Sequence, residues 1–350
     1  MGNLLYISLG FLLCLIAIPF SMKIGEKFIL DKPSKRKIHT IAKPRSGGIA
    51  IFAAFIAANL MLDIVPDKAL IPITLVFILG IIDDMYTLKA KGKLTSQIVI
   101  GLVTYLVGFE FSYISIGEMT LHFSTVPSIL LTILWVTAIM NAVNLIDGLD
   151  GLSSLLSSIS LTTFLIITLF LGSSLQGLIL VYLGATLAFF IYNKFPAKIF
   201  LGDCGSLQLG YILSLASLDI LAQNTNTQVI GIIFLVFVPV FDTTCAIIRR
   251  SANKQPIFAP DCKHIHHKLL AHNISPCNSC YILGILSVLA AIAGTAILLM
   301  PNIMIIILLS ILMSLIAYLA YAPEKCILPI YTKITLKELA TTSDKSNSND

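Results

Sequence analysis

The run Val126-Pro-Ser-Ile-Leu-Leu-Thr-Ile-Leu-Trp135-Val-Thr-Ala-Ile-Met-Asn141-Ala-Val-Asn144-Leu-Ile-Asp147-Gly148-Leu-Asp150-Gly151-Leu152 ends a long apolar segment in two amides and two carboxylates. An apolar run of about 20 residues crosses a bilayer as a helix. Strong polar groups beside lipid are costly unless they line a wet cavity and act there. The reading is an all-α polytopic membrane protein with a site at one membrane face. Asn141, Asn144 and Asp147 recur every three residues, so they occupy neighbouring faces of one helix before Gly148 and Gly151 break it. The alternative is a polar helix–helix contact followed by a glycine turn.

The rest of the chain carries the same pattern. Of 350 residues, 57% are hydrophobic and only 12% charged, and the mean hydropathy is +0.94, which excludes an ordinary soluble enzyme. Eleven apolar stretches stand at roughly 3–22, 47–65, 69–83, 95–110, 126–143, 152–171, 175–193, 205–222, 229–249, 281–300 and 302–320. Each is read as a transmembrane helix, with 69–83 the short one. The first has no basic residue before it and its positive charges follow it, so it is a retained span with the N-terminus outside. On this topology only Lys68 of the 23 Lys and Arg residues falls away from the inner loops and inner helix ends. That bias puts the polar helix ends in the cytoplasm. Residues 1–340 form one integral domain and 341–350 a disordered cytoplasmic tail. The segment 111–123 alternates around Gly117 as a small outer β-hairpin. The net charge of +5 reflects orientation, anionic ligands and lipid headgroups; nucleic acid is not implied. Five of the seven cysteines lie on or near the inner, reducing side, so no disulfide framework is expected.

Four constellations share that side. Gly80-Ile-Ile-Asp83-Asp84 is followed by Lys91, Lys93 and Gln97. Adjacent carboxylates repel unless a cation separates them or one keeps its proton. Mg²⁺ fits, because it takes one or two carboxylates and fills its other positions with water and phosphate; a helix end meeting water fits equally. The 141–152 cluster is the second. The third, Asn193-Lys-Phe-Pro-Ala-Lys-Ile-Phe-Leu-Gly202-Asp203-Cys-Gly205-Ser206, offers backbone N–H groups and a carboxylate to a phosphate, and is also a good turn and N-cap. The fourth joins Asp242, Arg249 and Arg250 to Asp261-Cys-Lys-His264-Ile-His266-His267, groups suited to a diphosphate or sugar hydroxyls. A rival there is structural zinc, for which Cys262, the three histidines, Cys277 and Cys280 are enough ligands. Against it, Cys277 and Cys280 stand where a span begins. The basic segment from Asp31 to Arg45-Ser-Gly47-Gly48 reads as an anionic-lipid-binding loop as readily as a catalytic one.

In their order and common side these motifs resemble the polyprenyl-phosphate N-acetylhexosamine-1-phosphate transferases, from Asp31 to His267. Within that family His264-Ile-His266-His267-Lys-Leu-Leu resembles the branch that transfers GlcNAc-1-phosphate to undecaprenyl phosphate, initiating O-antigen, enterobacterial common antigen or teichoic-acid linkage units. The resemblance implies a bacterial inner-membrane enzyme in which a lipid phosphate oxygen attacks the β-phosphate of UDP-GlcNAc, or a related UDP-N-acetylhexosamine, and UMP leaves.

It further implies roles. Asp203 holds Mg²⁺ (or Mn²⁺), with Asp84 or Asp83 assisting, and Asp83 and Asp84 are the catalytic pair. Asn144, Asp147, Asp150 and Asn193 bind the uridine or its ribose, Lys93 the phosphates, and Arg249, His264, His266 and His267 the sugar diphosphate, with Asn141 and Ser206 also among the substrate-binding residues. The implied partners are undecaprenyl phosphate, the nucleotide sugar and membrane lipids, with a homodimer open. Two alternatives stand beside this reading: a phospho-MurNAc-pentapeptide transferase, and an anion or nucleotide-sugar transporter.

Overall fold

The computed structural model describes residues 2–31, 42–116, 119–223, 227–256, 264–300 and 302–321. Residues 32–41, the hairpin tip at Gly117, Asp261, Cys262 and the 341–350 tail lie outside them. The chain divides into a unit over Met1–Ile306 and a second from Ile307. The helices are α1 (Gly2–Phe28), α2 (Gly47–Leu62), α3 (Asp67–Tyr86), α4 (Ala90–Leu106), α5 (Thr125–Ile146), α6 (Leu152–Leu171), α7 (Gln176–Asn193), α8 (Gly202–Gln223), α9 (Val229–Leu235), α10 (Phe237–Ala252), α11 (Ile265–Ala271), α12 (Pro276–Leu299) and α13 (Ile303–Tyr321). Two short antiparallel ladders join them, β1 (Leu30–Asp31) with β2 (Lys43–Pro44), and β3 (Tyr113–Ile116) with β4 (Met119–His122). The second is the expected hairpin.

The protein is an all-α polytopic membrane protein. Among the described residues seven helices, α1, α3, α5, α6, α7, α8 and α12, are long and apolar enough to cross a bilayer. The pair α9–α10 makes an eighth if counted as one span. The stretches holding α2, α4 and α13 are not among these helices, and two others differ from expectation in form. The short stretch 69–83 lies within a helix of 20 residues, because polar residues at both ends, which an apolar count omits, continue the helix. The stretch 229–249 is not a continuous span: α9 and α10 meet at a bend of 97°. Pro239 has no N–H for the carbonyl of Leu235 and its ring would clash there. The hydroxyl of Ser160 donates to that carbonyl instead, at 2.6 Å.

Helix α8 is buried along nearly its whole length, enclosed by α2, α3, α5 and α6, and so shows no apolar stripe. Its N-terminus is reached backbone to backbone. A Cβ on Gly80 would lie 2.3 Å from Cys204 Cα, and one on Gly48 would lie 2.2 Å from Gly205 N. These contacts seat α3 and α2 on the first turn of α8. Gly80→Ala is therefore expected to destabilise the fold by about 1–3 kcal/mol, the scale for overpacking a closed contact. A lowered melting temperature in detergent checks this; an unchanged one would mean that the helices are not in backbone contact.

A backbone ladder completes the frame. Phe200 N–H donates to Pro44 O, Gly47 N–H to Phe200 O and Gly48 N–H to Leu201 O, each at 2.9 Å. The segment before α2 is thereby tied to the loop before α8.

Candidate active site

The site is built on the first turn of α8. Gly202 has φ +76°, and a Cβ there would meet both Arg45 O and Asp84 Oδ2 at 2.7 Å, so only glycine serves. The next two N–H groups have no helical partner. Asp84, from the end of α3, supplies one to each: Oδ1 accepts from Asp203 N–H at 2.9 Å and Oδ2 from Cys204 N–H at 2.8 Å. The Asp84 side chain is fully buried, at 0% exposure. Arg45 Nη2 lies 3.3 Å from Asp84 Oδ1 and 3.3 Å from Asp203 Oδ2.

Asp203 projects from this capped turn into a charged network. Its Oδ1 accepts from Asn144 Nδ2 at 2.5 Å and faces Lys93 Nζ at 3.4 Å. Asn144 Nδ2 also donates to Ser206 Oγ at 2.9 Å. Lys93 Nζ, from α4, lies 2.8 Å from Asp83 Oδ2 and donates to Asn144 Oδ1 at 2.8 Å. The other Asp83 oxygen accepts from Leu88 N–H at 2.8 Å, closing the turn after α3. Two cations thus face three buried or half-buried carboxylates.

Asp147, at the C-terminal end of α5, makes no hydrogen bond among the described residues. Burial pushes its carboxyl up to about 8; Asp203, Asp84 and Asp150 add to this and Arg45 opposes it. No three His, Cys, Asp or Glu of the described residues converge on one point. Mg²⁺ asks for only one or two carboxylates beside water and phosphate, so Asp203 fits it; Asp84, expected to assist, has both oxygens on the N–H groups of the α8 cap.

The remaining candidates frame this centre. Asn141 pairs with Gln97 of α4, donating to Gln97 Oε1 at 2.7 Å, and belongs to the α4–α5 contact. Asp150 Oδ2 accepts from Ala197 N–H at 2.8 Å and faces Lys43 Nζ at 3.5 Å. Asn193 accepts from Ser154 Oγ and donates to Ile199 O, both at 2.9 Å. Both residues clamp the loop before α8. Asp242 of α10 receives His264 Nδ1 at 2.7 Å and Ile265 N–H at 2.9 Å. Arg249 stands two turns beyond Asp242 on the same helix face, and Arg250 is buried and donates to Pro256 O at 2.6 Å.

His266 packs the histidine cluster against the turn after α5. Its Nε2 sits where a Cβ on Gly148 would be, 2.2 Å away, and the rings of His264 and His267 lie at 5.9 and 4.2 Å. It is 1% exposed, and neither ring nitrogen has a hydrogen bond among the described residues. Burial, then His267 and His264, push its pKa down to about 3. The folded protein therefore takes this proton only near pH 3, whereas an unfolded histidine takes it near 6.5. Between those values the unfolded state binds more protons, so stability falls as pH falls. The wild-type melting temperature is expected to drop more steeply from pH 6 to pH 4 than that of His266→Gln. Parallel curves would place the ring in solvent.

The sequence was compared with known proteins. A probable undecaprenyl-phosphate N-acetylglucosaminyl 1-phosphate transferase of Bacillus subtilis is 40% identical over 87% of this chain and 88% of its own length. The profile of glycosyl transferase family 4 matches residues 68–221. The chain belongs to this family. A decaprenyl-phosphate N-acetylglucosaminephosphotransferase of Mycobacterium tuberculosis is 29% identical over 68% of each chain. A phospho-N-acetylmuramoyl-pentapeptide-transferase of Staphylococcus carnosus is 28% identical over 76% of this chain and 90% of its own.

The part matched by the family profile holds Asp83, Asp84, Lys93, Asn144, Asp147 and Asp203. It stops short of two groups that frame the centre. Arg45 and Lys43 come from the basic segment for which lipid binding and catalysis stood equally open, and Asp242 acts by seating His264. The signal for Arg45 was its place directly before Ser46-Gly47-Gly48, glycines that permit close backbone approach.

Proposed function

We propose that the protein transfers GlcNAc-1-phosphate, or a related N-acetylhexosamine-1-phosphate, from a UDP-sugar to undecaprenyl phosphate, releasing UMP and starting a cell-envelope polysaccharide. The observation that carries this is Asp203 on the capped turn of α8, within 3.4 Å of both Lys93 and Arg45 and beside Asn144. The relatives' names supply the substrate class. An oxygen of the lipid phosphate forms a bond to the β-phosphorus. The bond from that phosphorus to the bridging oxygen breaks, and the α-phosphate leaves as UMP. Such transfers need positioning and charge neutralisation above all.

Each group then has a role. Asp203 would hold Mg²⁺, for which Mn²⁺ can substitute, and the ion would supply neutralising charge to the phosphates; Asp147 binds the nucleotide. Asp84 positions Asp203 through the backbone of α8. Asp83 accepts or orients the acceptor phosphate proton. Lys93 pairs with phosphate oxygens, and Asn144 and Ser206 fix Asp203. Asp150 and Asn193 shape the loop against which the nucleotide lies, and Asn141 supports it from the α4–α5 contact. Arg249, His264, His266 and His267 face the sugar diphosphate, with Asp242 holding the imidazole of His264.

The eleven apolar stretches, with α9–α10 taken as one span and α2, α4 and α13 as further spans, and the one-sided Lys and Arg support a bacterial inner-membrane topology. The N-terminus is then outside and the site cytoplasmic. There the soluble nucleotide and the lipid headgroup meet.

The test is UMP release by purified protein in detergent with Mg²⁺, undecaprenyl phosphate and UDP-GlcNAc, beside UDP-GalNAc and UDP-MurNAc-pentapeptide. Release that needs both lipid and metal, and is fastest with UDP-GlcNAc, is expected. Release only from UDP-MurNAc-pentapeptide would transfer the protein to the other branch.

A further inference from the structure

Resting on the function proposed above, we infer that Arg45 has two partners in turn, the Asp84–Asp203 carboxylates and the diphosphate of the nucleotide sugar.

The backbone of Arg45 is fixed: its N–H donates to Ile29 O at 2.9 Å, and its neighbours Pro44 and Gly47 are laddered to Phe200. Only the side chain is free to move. Of the five N–H donors on a guanidinium, those on Nη2 alone meet a partner among the described residues. Both distances are 3.3 Å, longer than the 2.7–2.9 Å typical of charge-assisted bonds. The side chain is 31% exposed, so it is open to a second partner. An arginine keeps its proton throughout the working pH range. It arrives at any substrate as a full cation.

A divalent cation at Asp203 and a guanidinium at Asp203 Oδ2 repel each other. A diphosphate offers the guanidinium a planar two-oxygen partner that suits its fork better than two carboxylates reached by one nitrogen. Arg45 therefore opposes the metal until the nucleotide sugar takes it up, and then contributes to nucleotide-sugar affinity. Metal and nucleotide sugar favour each other's binding through this one side chain.

The test uses the full-length protein in detergent. Mn²⁺ binding without nucleotide is followed by electron paramagnetic resonance, and UDP-GlcNAc binding at saturating Mn²⁺ by calorimetry. Arg45→Gln is expected to bind Mn²⁺ about tenfold more tightly, the scale for removing one nearby like charge, and UDP-GlcNAc about tenfold more weakly. Arg45→Lys keeps the charge and loses the fork. It is expected to bind Mn²⁺ like the wild type and UDP-GlcNAc several-fold more weakly. Unchanged or weaker Mn²⁺ binding by Arg45→Gln overturns the inference, as does wild-type UDP-GlcNAc affinity in either variant. Should Arg45→Gln fail to fold, the UDP-GlcNAc affinity of Arg45→Lys decides alone. A wild-type protein that binds Mn²⁺ and UDP-GlcNAc leaves the function standing whatever the variants do; one that binds no UDP-GlcNAc overturns both.

Discussion

Asp203→Asn is expected to lower UMP release by about a hundred- to a thousandfold, the cost of losing one preorganised charge at a reacting phosphate. The substitution keeps the shape of the side chain, and the amide oxygen it introduces can still accept from Asn144 at the position Asp203 Oδ1 now takes. The α8 cap is untouched, because it is made by the Asp203 backbone N–H and Asp84. The loss therefore falls on charge alone. It leaves Lys93 and Arg45 without their shared counter-charge and removes a cation ligand. The variant should melt close to the wild type while its Mn²⁺ binding weakens. UMP release within tenfold of the wild type would remove Asp203 from the chemistry.

Asp83→Asn is expected to slow turnover by about a hundred- to ten-thousandfold, the range for a positioned proton acceptor. An asparagine can keep the bond from Leu88 N–H, so the turn after α3 survives. What is lost is the anion 2.8 Å from Lys93 Nζ. If Asp83 takes the acceptor proton, the residual rate climbs between about pH 6 and pH 8. Over that range the lipid phosphate loses its own second proton, whose pKa is about 6. UDP-GlcNAc affinity should stay near the wild-type value. A residual rate that is flat with pH would leave Asp83 only the orienting of Lys93, and near-normal turnover would deny it either role.

The adjacency of Asp83 and Asp84 in sequence concealed their different surroundings. Neighbouring residues on a helix point about 100° apart. Asp83 accordingly meets Lys93, whereas Asp84 turns inward to cap α8. A pattern search sees two equivalent carboxylates there. Apolar length was legible because it is a local property: every apolar stretch contains helix, and the alternation near 111–123 forms β3 and β4. The break between α9 and α10 was legible in principle, since Pro239 marks it, but an apolar count passes over a proline. Arg45 was legible only as one of several basic residues in a segment open to lipid binding or catalysis, and its partners were not. It reaches Asp203 across 158 positions of sequence, through a backbone ladder whose side chains carry no code for the pairing. Asn193 and Asn141 were visible as polar residues in apolar company. That their amides are satisfied within the protein needed the coordinates of Ser154, Ile199 and Gln97.

The most direct test of the central claim follows phosphorus. UDP-GlcNAc carrying label in the β-phosphate is incubated with the detergent-solubilised protein, Mg²⁺ and undecaprenyl phosphate, and the organic and aqueous phases are counted. Sugar-1-phosphate transfer predicts that the label enters the lipid phase in step with unlabelled UMP in water. Label retained in aqueous UDP or free phosphate, or no turnover without a sealed compartment, would contradict it.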